Sequence, residues 1–304
     1  MKHAPLYGLV AATHTPFLSD GAVNLSIVEK QAEFLLRQGV NTVFINGSTA
    51  ESSSLTVAER LDLAARWMEV SRGTPMRVVV HVGANCVEDS KVLAAQAEKL
   101  GAAAISALSP SYYKPRTPGL LIDCLAQITA AAPQTPFYYY DIPALTGVSF
   151  SMPDFLDLAV ERLPTMVGIK FTNPDLMAYQ CCLRRHEGRW DLPWGVDEHM
   201  LGALAVGAKG GVGSGFNFAA PIYHRLIAAF EKGDIPAARE EQFRGVRLIQ
   251  LFVSFGYVGA AKATMGMLGV EVGPPRLPNA GLSAAQIADL RKRLEEMGFF
   301  DWVR

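Results

Sequence analysis

Between Tyr7 and Ser214 the chain repeats one alternation eight times: a short apolar run rich in strand-forming residues, then a longer stretch with helical signals. The runs are Tyr7–Thr13, Thr42–Asn46, Arg77–Val82, Ala103–Leu108, Pro136–Asp141, Met166–Phe171, Leu192–Val196 and Gly210–Ser214. Uninterrupted apolar character, as in Val78-Val79-Val80, marks strands covered on both faces, the condition of a parallel sheet. Between the runs, Ser26 and Glu29, Thr56 and Glu59, and Asn85 and Glu88 each set a capping oxygen three residues before a glutamate, the spacing of a capping box. Eight such strand–helix units predict an α/β fold, a (β/α)8 TIM barrel over residues 1–232. Past Phe230 only helical patterns remain. Phe243, Val246 and Val253 form one apolar stripe, and Ile287, Leu290, Leu294 and Met297 another, opened by a box of Ser283 and Gln286. Gly273-Pro274-Pro275-Arg276-Leu277-Pro278 must be extended, because proline blocks helix there. Residues 233–304 are thus expected as a helical extension packed on the barrel.

Composition narrows the function classes. Of 304 residues, 50% are hydrophobic and 19% charged, enough to bury a large core. The 28 basic and 29 acidic side chains leave a net charge of −1, so no electrostatic footprint for nucleic acid exists. No apolar run approaches the roughly 18 residues of a membrane-spanning helix. Lys2 and His3 before Leu6–Ala12 look superficially like a leader, but Pro5 and Gly8 interrupt the run and Thr13–Phe17 follows it, so a first strand is expected instead. Cys86, Cys124, Cys181 and Cys182 show neither a CxxC pair nor zinc spacing, which points to a reducing cytoplasm and no metal site.

In a barrel of this kind the reactive groups stand where the strands end and the following loops begin. Lys170 is the most informative of them. A lysine within Val167-Gly168-Ile169-Lys170-Phe171 either reaches out to a carboxylate or solvent, or is buried in the interior, where desolvation makes a neutral nucleophilic amine accessible. Tyr140 ends the preceding strand and could hold or move a proton; Tyr138 shares its face, and both could simply fill the core. Ser48 and Thr49 lie in a tight turn suited to a carboxylate or phosphate, or to capping the loop. Asp197-Glu198 could bind a polyol or cap a helix, and Gly211–Gly215 could grip phosphate. His81 fits an interior packing role better than catalysis.

Taken in order, Gly8-Leu9-Val10-Ala11-Ala12-Thr13, Phe137-Tyr138-Tyr139-Tyr140-Asp141-Ile142-Pro143-Ala144-Leu145-Thr146-Gly147, Gly195-Val196-Asp197-Glu198 and Gly273–Pro278 resemble a known family. It is the pyruvate-dependent class I aldolases, which include dihydrodipicolinate synthase and N-acetylneuraminate lyase. The resemblance runs from about Leu6 to Pro278 and is nearer to the lyase branch, the animal type especially. It implies reversible cleavage of N-acetylneuraminate, a sialic acid, to pyruvate and N-acetylmannosamine, with no cofactor beyond an imine on Lys170. Tyr140 would move the proton of the substrate hydroxyl, and Ser48 and Thr49 would hold the pyruvyl carboxylate. Asp197, Glu198 and Ser214 would bind the hydroxylated tail, with Thr172 and Gly195 lining the same pocket. Tyr112 and Tyr113 would pack near the site and a subunit contact of a homotetramer.

Three positions sharpen the comparison. Leu145 stands where synthases usually carry an arginine for a second carboxylate, and leucine cannot form that pair. Ala50 replaces a usual glycine, which would strain the turn if that residue had to be left-handed. Gly215 replaces a usual threonine, removing a hydroxyl from the rim. The competing expectations are the same chemistry on another 2-keto-3-deoxy sugar acid, a dihydrodipicolinate synthase-like enzyme, a catalytically silent keto-acid sensor, and a phosphosugar isomerase.

Overall fold

The computed structural model describes residues 3–304; Met1 and Lys2, the latter part of the leader-like pattern, lie outside the described residues. Seven parallel strands form the sheet: β1 (Gly8–Ala12), β2 (Thr42–Ile45), β3 (Arg77–His81), β4 (Ala104–Leu108), β5 (Phe137–Asp141), β6 (Met166–Phe171) and β7 (Gly210–Gly213). Their order is β6-β5-β4-β3-β2-β1-β7, so the first strand sits beside the last and the sheet curls into a barrel ringed by helices.

The expected strand Leu192–Val196 is not one. The gap between β6 and β7 is spanned by isolated bridges pairing Gly168 with Asp191, Phe171 with Trp194, and Trp194 with Gly211. Asp191 N donates to Val167 O and Ile169 N to Asp191 O, and further along Phe171 N donates to Pro193 O. Pro193 has no N–H to return to the ladder between them, and the pairing breaks into bridges. The ring closes, with one interrupted member.

Two apolar layers hold it. Inside lie Val10, Ala12, Phe44, Val79, Ala104, Tyr138, Tyr140, Val167 and Val212. Outside, Tyr139, Ile169 and Phe171 join the larger cluster facing the helices. The strand bearing Lys170 departs from strict alternation. Phe137 pairs with Met166, but the next residue, Tyr138, pairs with Gly168, leaving Val167 as an extra residue. Met166 faces outward and Val167 inward; past this bulge Ile169 and Phe171 face outward again, which turns Lys170 to the inside opposite Tyr140.

Two of the four expected capping boxes form, at Thr56 with Glu59 and at Ser283 with Gln286. Ser26 instead adopts helical backbone angles and donates to Asn24 Oδ1, while Glu29 reaches Arg66. Asn85 turns away to accept from the backbone of Ser111 and Tyr112. After the helix Ala220–Glu231, the helix Ile235–Phe255 turns by 114° at Gly256 into Tyr257–Met267, and an extended strap leads to Ala284–Met297. Among the described residues no single helix is long and apolar enough to cross a membrane.

A Cβ at Gly168 would lie 1.7 Å from Asp191 O, a backbone atom that cannot step aside. Gly168→Ala should therefore cost about 3 kcal/mol of stability, seen as a lower urea midpoint. An unchanged midpoint would mean that the joint between β6 and residue 191 yields freely.

Candidate active site

A cavity of about 310 Å³ opens at the C-terminal ends of the strands. Strand register determines much of its wall. Tyr140 and Lys170 are direct partners across β5 and β6, and both face inward. The Lys170 Nζ lies 4.0 Å from the ring centre of Phe44 and 4.0 Å from that of Tyr140. The side chain is 3% exposed. Burial pulls the amine down to about 7, and the negative charge of Asp197 opposes that shift. The two aromatic faces stabilise the charged form that remains.

Tyr140 packs edge-on against Phe44 and against His81, with centroids 5.7 and 5.8 Å away. Its hydroxyl is 3.4 Å from Ser48 Oγ. Burial pushes the phenol above its ordinary value, and the Ser48 contact works the other way. His81 is fully buried with Nδ1 2.9 Å from Asn46 O, and burial holds the ring neutral. It supports Tyr140 from below and does not line the cavity.

On the opposite wall Asp197 Oδ2 accepts from Gly215 N at 2.6 Å. Burial pushes this carboxyl up to about 7, against the pull of the Gly215 amide. A Cβ at Gly213 would come within 2.0 Å of Asp197 Oδ1, and one at Gly215 within 2.8 Å of Oδ2. The glycine at 215 thus accompanies a close seat for Asp197 that a threonine would crowd. It also consumes the amide that a phosphate would need, beside a carboxyl of the wrong charge, so the glycine-rich segment forms no anion grip. Gly195 has a similar reason: its Cβ would meet Thr172 Oγ1 at 1.9 Å. Ser214 Oγ is 2.7 Å from Tyr257 Oη.

Lys170, Tyr140, Ser48, Thr49, Thr172, Gly195, Asp197, Glu198 and Ser214 all line this one cavity. Leu145 does not. It is 65% exposed and lines a neighbouring cavity of about 470 Å³ that shares Ser48. Tyr112 and Tyr113 form an edge-on pair at the surface, 78% and 86% exposed, outside both cavities. Ala50 is not among the left-handed residues; Asn46 and Glu51 carry that geometry instead, both at φ 58. Ile249, Val253 and Tyr257 also line the Lys170 cavity. No strand-end rule selects a residue on an appended helix; the signal for Tyr257 was the Gly256 break after an apolar stripe.

Comparison with known proteins adds an independent line. The model of the dihydrodipicolinate synthetase family matches residues 5–297. The N-acetylneuraminate lyase of Gallus gallus is 39% identical over 296 residues, 96% of each chain. Among solved structures, the N-acetylneuraminate lyase of Aliivibrio salmonicida superposes with a TM-score of 0.94 at 40% identity, covering 98% of both chains. That of Proteus mirabilis gives 0.94 at 37% identity, covering 97% of this chain and 100% of the other.

The electrostatics can be tested without a substrate. Acetylation of Lys170 by a small reagent, mapped by peptide mass spectrometry, should rise with pH through a midpoint at about 7. Asp197→Asn removes a charge that favours the ammonium, so the midpoint should move to lower pH. A midpoint that stays in place would show that the charge at 197 does not reach Lys170.

Proposed function

Because the chain belongs to the dihydrodipicolinate synthetase family, we propose that it is a Schiff-base aldolase that cleaves N-acetylneuraminate, reversibly, to pyruvate and N-acetylmannosamine. The observation that carries this reading is Lys170, an amine desolvated between two aromatic faces beside a phenol in a cavity with polar walls. Similarity to N-acetylneuraminate lyases across nearly the whole chain supports the substrate.

The neutral Lys170 amine adds to the keto carbon, whose oxygen leaves as water with one proton from the amine and one from the Tyr140 hydroxyl, giving a protonated imine beside a phenolate. Tyr140, as phenolate, takes the proton from the hydroxyl on the carbon that becomes the aldehyde. The adjacent carbon–carbon bond breaks, and its electron pair moves through the imine to nitrogen as an enamine. The enamine carbon then gains a proton, and water releases pyruvate and the free amine. Ser48 and Thr49 hold the carboxylate, while Asp197, Glu198 and Ser214 hold the hydroxylated tail within walls formed by Thr172 and Gly195. Electron demand is met by the imine, so no cofactor or metal takes part.

Leu145 supports cleavage of a sugar acid over synthase chemistry, since a leucine offers no charge to a second carboxylate. We assign residues 1–232 to the barrel and 233–304 to an extension that lends Tyr257 to the rim. The exposed Tyr112–Tyr113 pair and Leu145 supply apolar surface for the subunit contacts of a homotetramer. Four free cysteines suit a reducing cytoplasm. Neither nucleic acid nor membrane is a partner in this reading.

The decisive experiment supplies N-acetylneuraminate as the only keto acid, adds borohydride, and maps the reduced adduct, with pyruvate in parallel. A pyruvyl adduct on Lys170 in both samples is expected. An adduct with pyruvate alone would redirect the search to another 2-keto-3-deoxy sugar acid, and none in either would falsify the aldolase reading. Lys170→Ala should abolish trapping. Tyr140→Phe should still trap pyruvate but slow carbon–carbon cleavage by about 10²–10⁴-fold; near-normal turnover would remove Tyr140 from the proton transfer.

A further inference from the structure

Two buried charges outside the Lys170 cavity remain unexplained by the chemistry above. Lys262 and Glu51 pair at 3.1 Å with side chains 1% and 0% exposed. We propose that Lys262 and Glu51 are positioning residues for carboxylate recognition, fixing the Gly47–Glu51 turn and so aiming Ser48 and Thr49 at the substrate. This rests on the aldolase reading, in which that turn meets the pyruvyl carboxylate.

The turn needs such a device. It is bounded by Asn46 and Glu51, both left-handed at φ 58, a backbone region costly for any residue with a Cβ. Such geometry persists only where the surroundings over-determine it. Inside the turn Glu51 N donates to Ser48 O at 3.0 Å and Ser52 N to Gly47 O at 3.2 Å, while Thr15 Oγ1 donates to Ala50 O at 2.7 Å. These contacts close the loop but leave the strained residue to be held from outside.

That hold comes from the C-terminal part of the chain. Lys262, on the helix Tyr257–Met267, spends all three ammonium protons, on Thr15 O at 2.9 Å, Glu51 Oε1 at 3.1 Å and Pro274 O at 3.0 Å. The other Glu51 oxygen accepts from Arg276 N at 2.9 Å and Asn279 Nδ2 at 3.1 Å. The Glu51 carboxylate therefore accepts three hydrogen bonds from residues more than two hundred positions away in sequence, one from the helix and two from the strap that follows it. A buried ion pair is weak as a source of stability, since apolar side chains of like volume often do as well. Its directional bonds are what apolar packing could not supply, and here they end on the one turn that must keep two side chains aimed.

A ketone with a carboxylate and one without separate positioning from folding. Borohydride trapping on Lys170 is measured with pyruvate and with acetone, in the wild type, Lys262→Met and Asn279→Ala. Lys262→Met should raise the half-saturating pyruvate concentration about 30-fold and leave the acetone rate unchanged. Asn279→Ala removes one donor at the edge of the network and should give about a threefold rise, again with acetone unchanged; it decides the matter if Lys262→Met fails to fold. Unchanged pyruvate saturation, or a parallel loss with acetone, overturns the proposal while leaving the aldolase in place. Failure of the wild type to trap either ketone removes both.

Discussion

Exclusion of water from one amine is the constraint around which the rest of this molecule is arranged. An ammonium between Phe44 and Tyr140 loses its hydration, and the aromatic faces and Asp197 return only part of what is lost. The same exclusion acts on the neighbouring phenol in the opposite sense, because a phenolate is also disfavoured out of water. One dry environment thus biases a base toward its neutral, nucleophilic form and an acid toward retaining its proton. Once the nitrogen is tied into a protonated imine, its positive charge beside Tyr140 favours the phenolate. The proposed order of events is written into the local dielectric.

Much of this was legible in the sequence, and what was hidden had physical reasons. Seven of eight apolar runs are strands, since a buried parallel strand needs continuous hydrophobicity and little else. The run at Leu192–Val196 has that composition but contains Pro193, whose missing donor outweighs it. The pattern of capping boxes holds where the oxygen has no better partner and fails at Asn85, whose carbonyl is taken by a loop distant in sequence. At the site, strand ends locate side chains within a residue or two, which suffices for Lys170, Tyr140 and the Ser48–Thr49 turn. It does not suffice for Leu145, which lies on the short helix Pro143–Thr146 just beyond its strand and faces the next cavity. The strap was expected as extended chain, but its grip on Glu51 and the places of Tyr257 and Lys262 beside the barrel were not readable, because those contacts are tertiary.

The wall opposite Lys170 shows how small residues set polar geometry. Gly213 and Gly215 leave space that the Asp197 carboxylate fills, and Gly195 does the same for Thr172. Side-chain volume at these positions would displace the polar atoms that border the cavity. The rim is completed by Tyr257 at the start of a helix that carries Lys262 at its middle, so the helix after Gly256 touches both Ser214 and the turn that ends at Glu51.

The extra residue at Val167 means that the inward aim of Lys170 is not a property of its own strand. Strict alternation from Met166 would turn the lysine toward the helices; the joint with Tyr138 and Asp191 reverses that phase. Anyone transplanting the Val167–Phe171 segment into another barrel would carry the lysine but not its orientation. The transferable unit is a three-segment joint: β5, the bulged β6, and the bridged stretch that begins at Asp191.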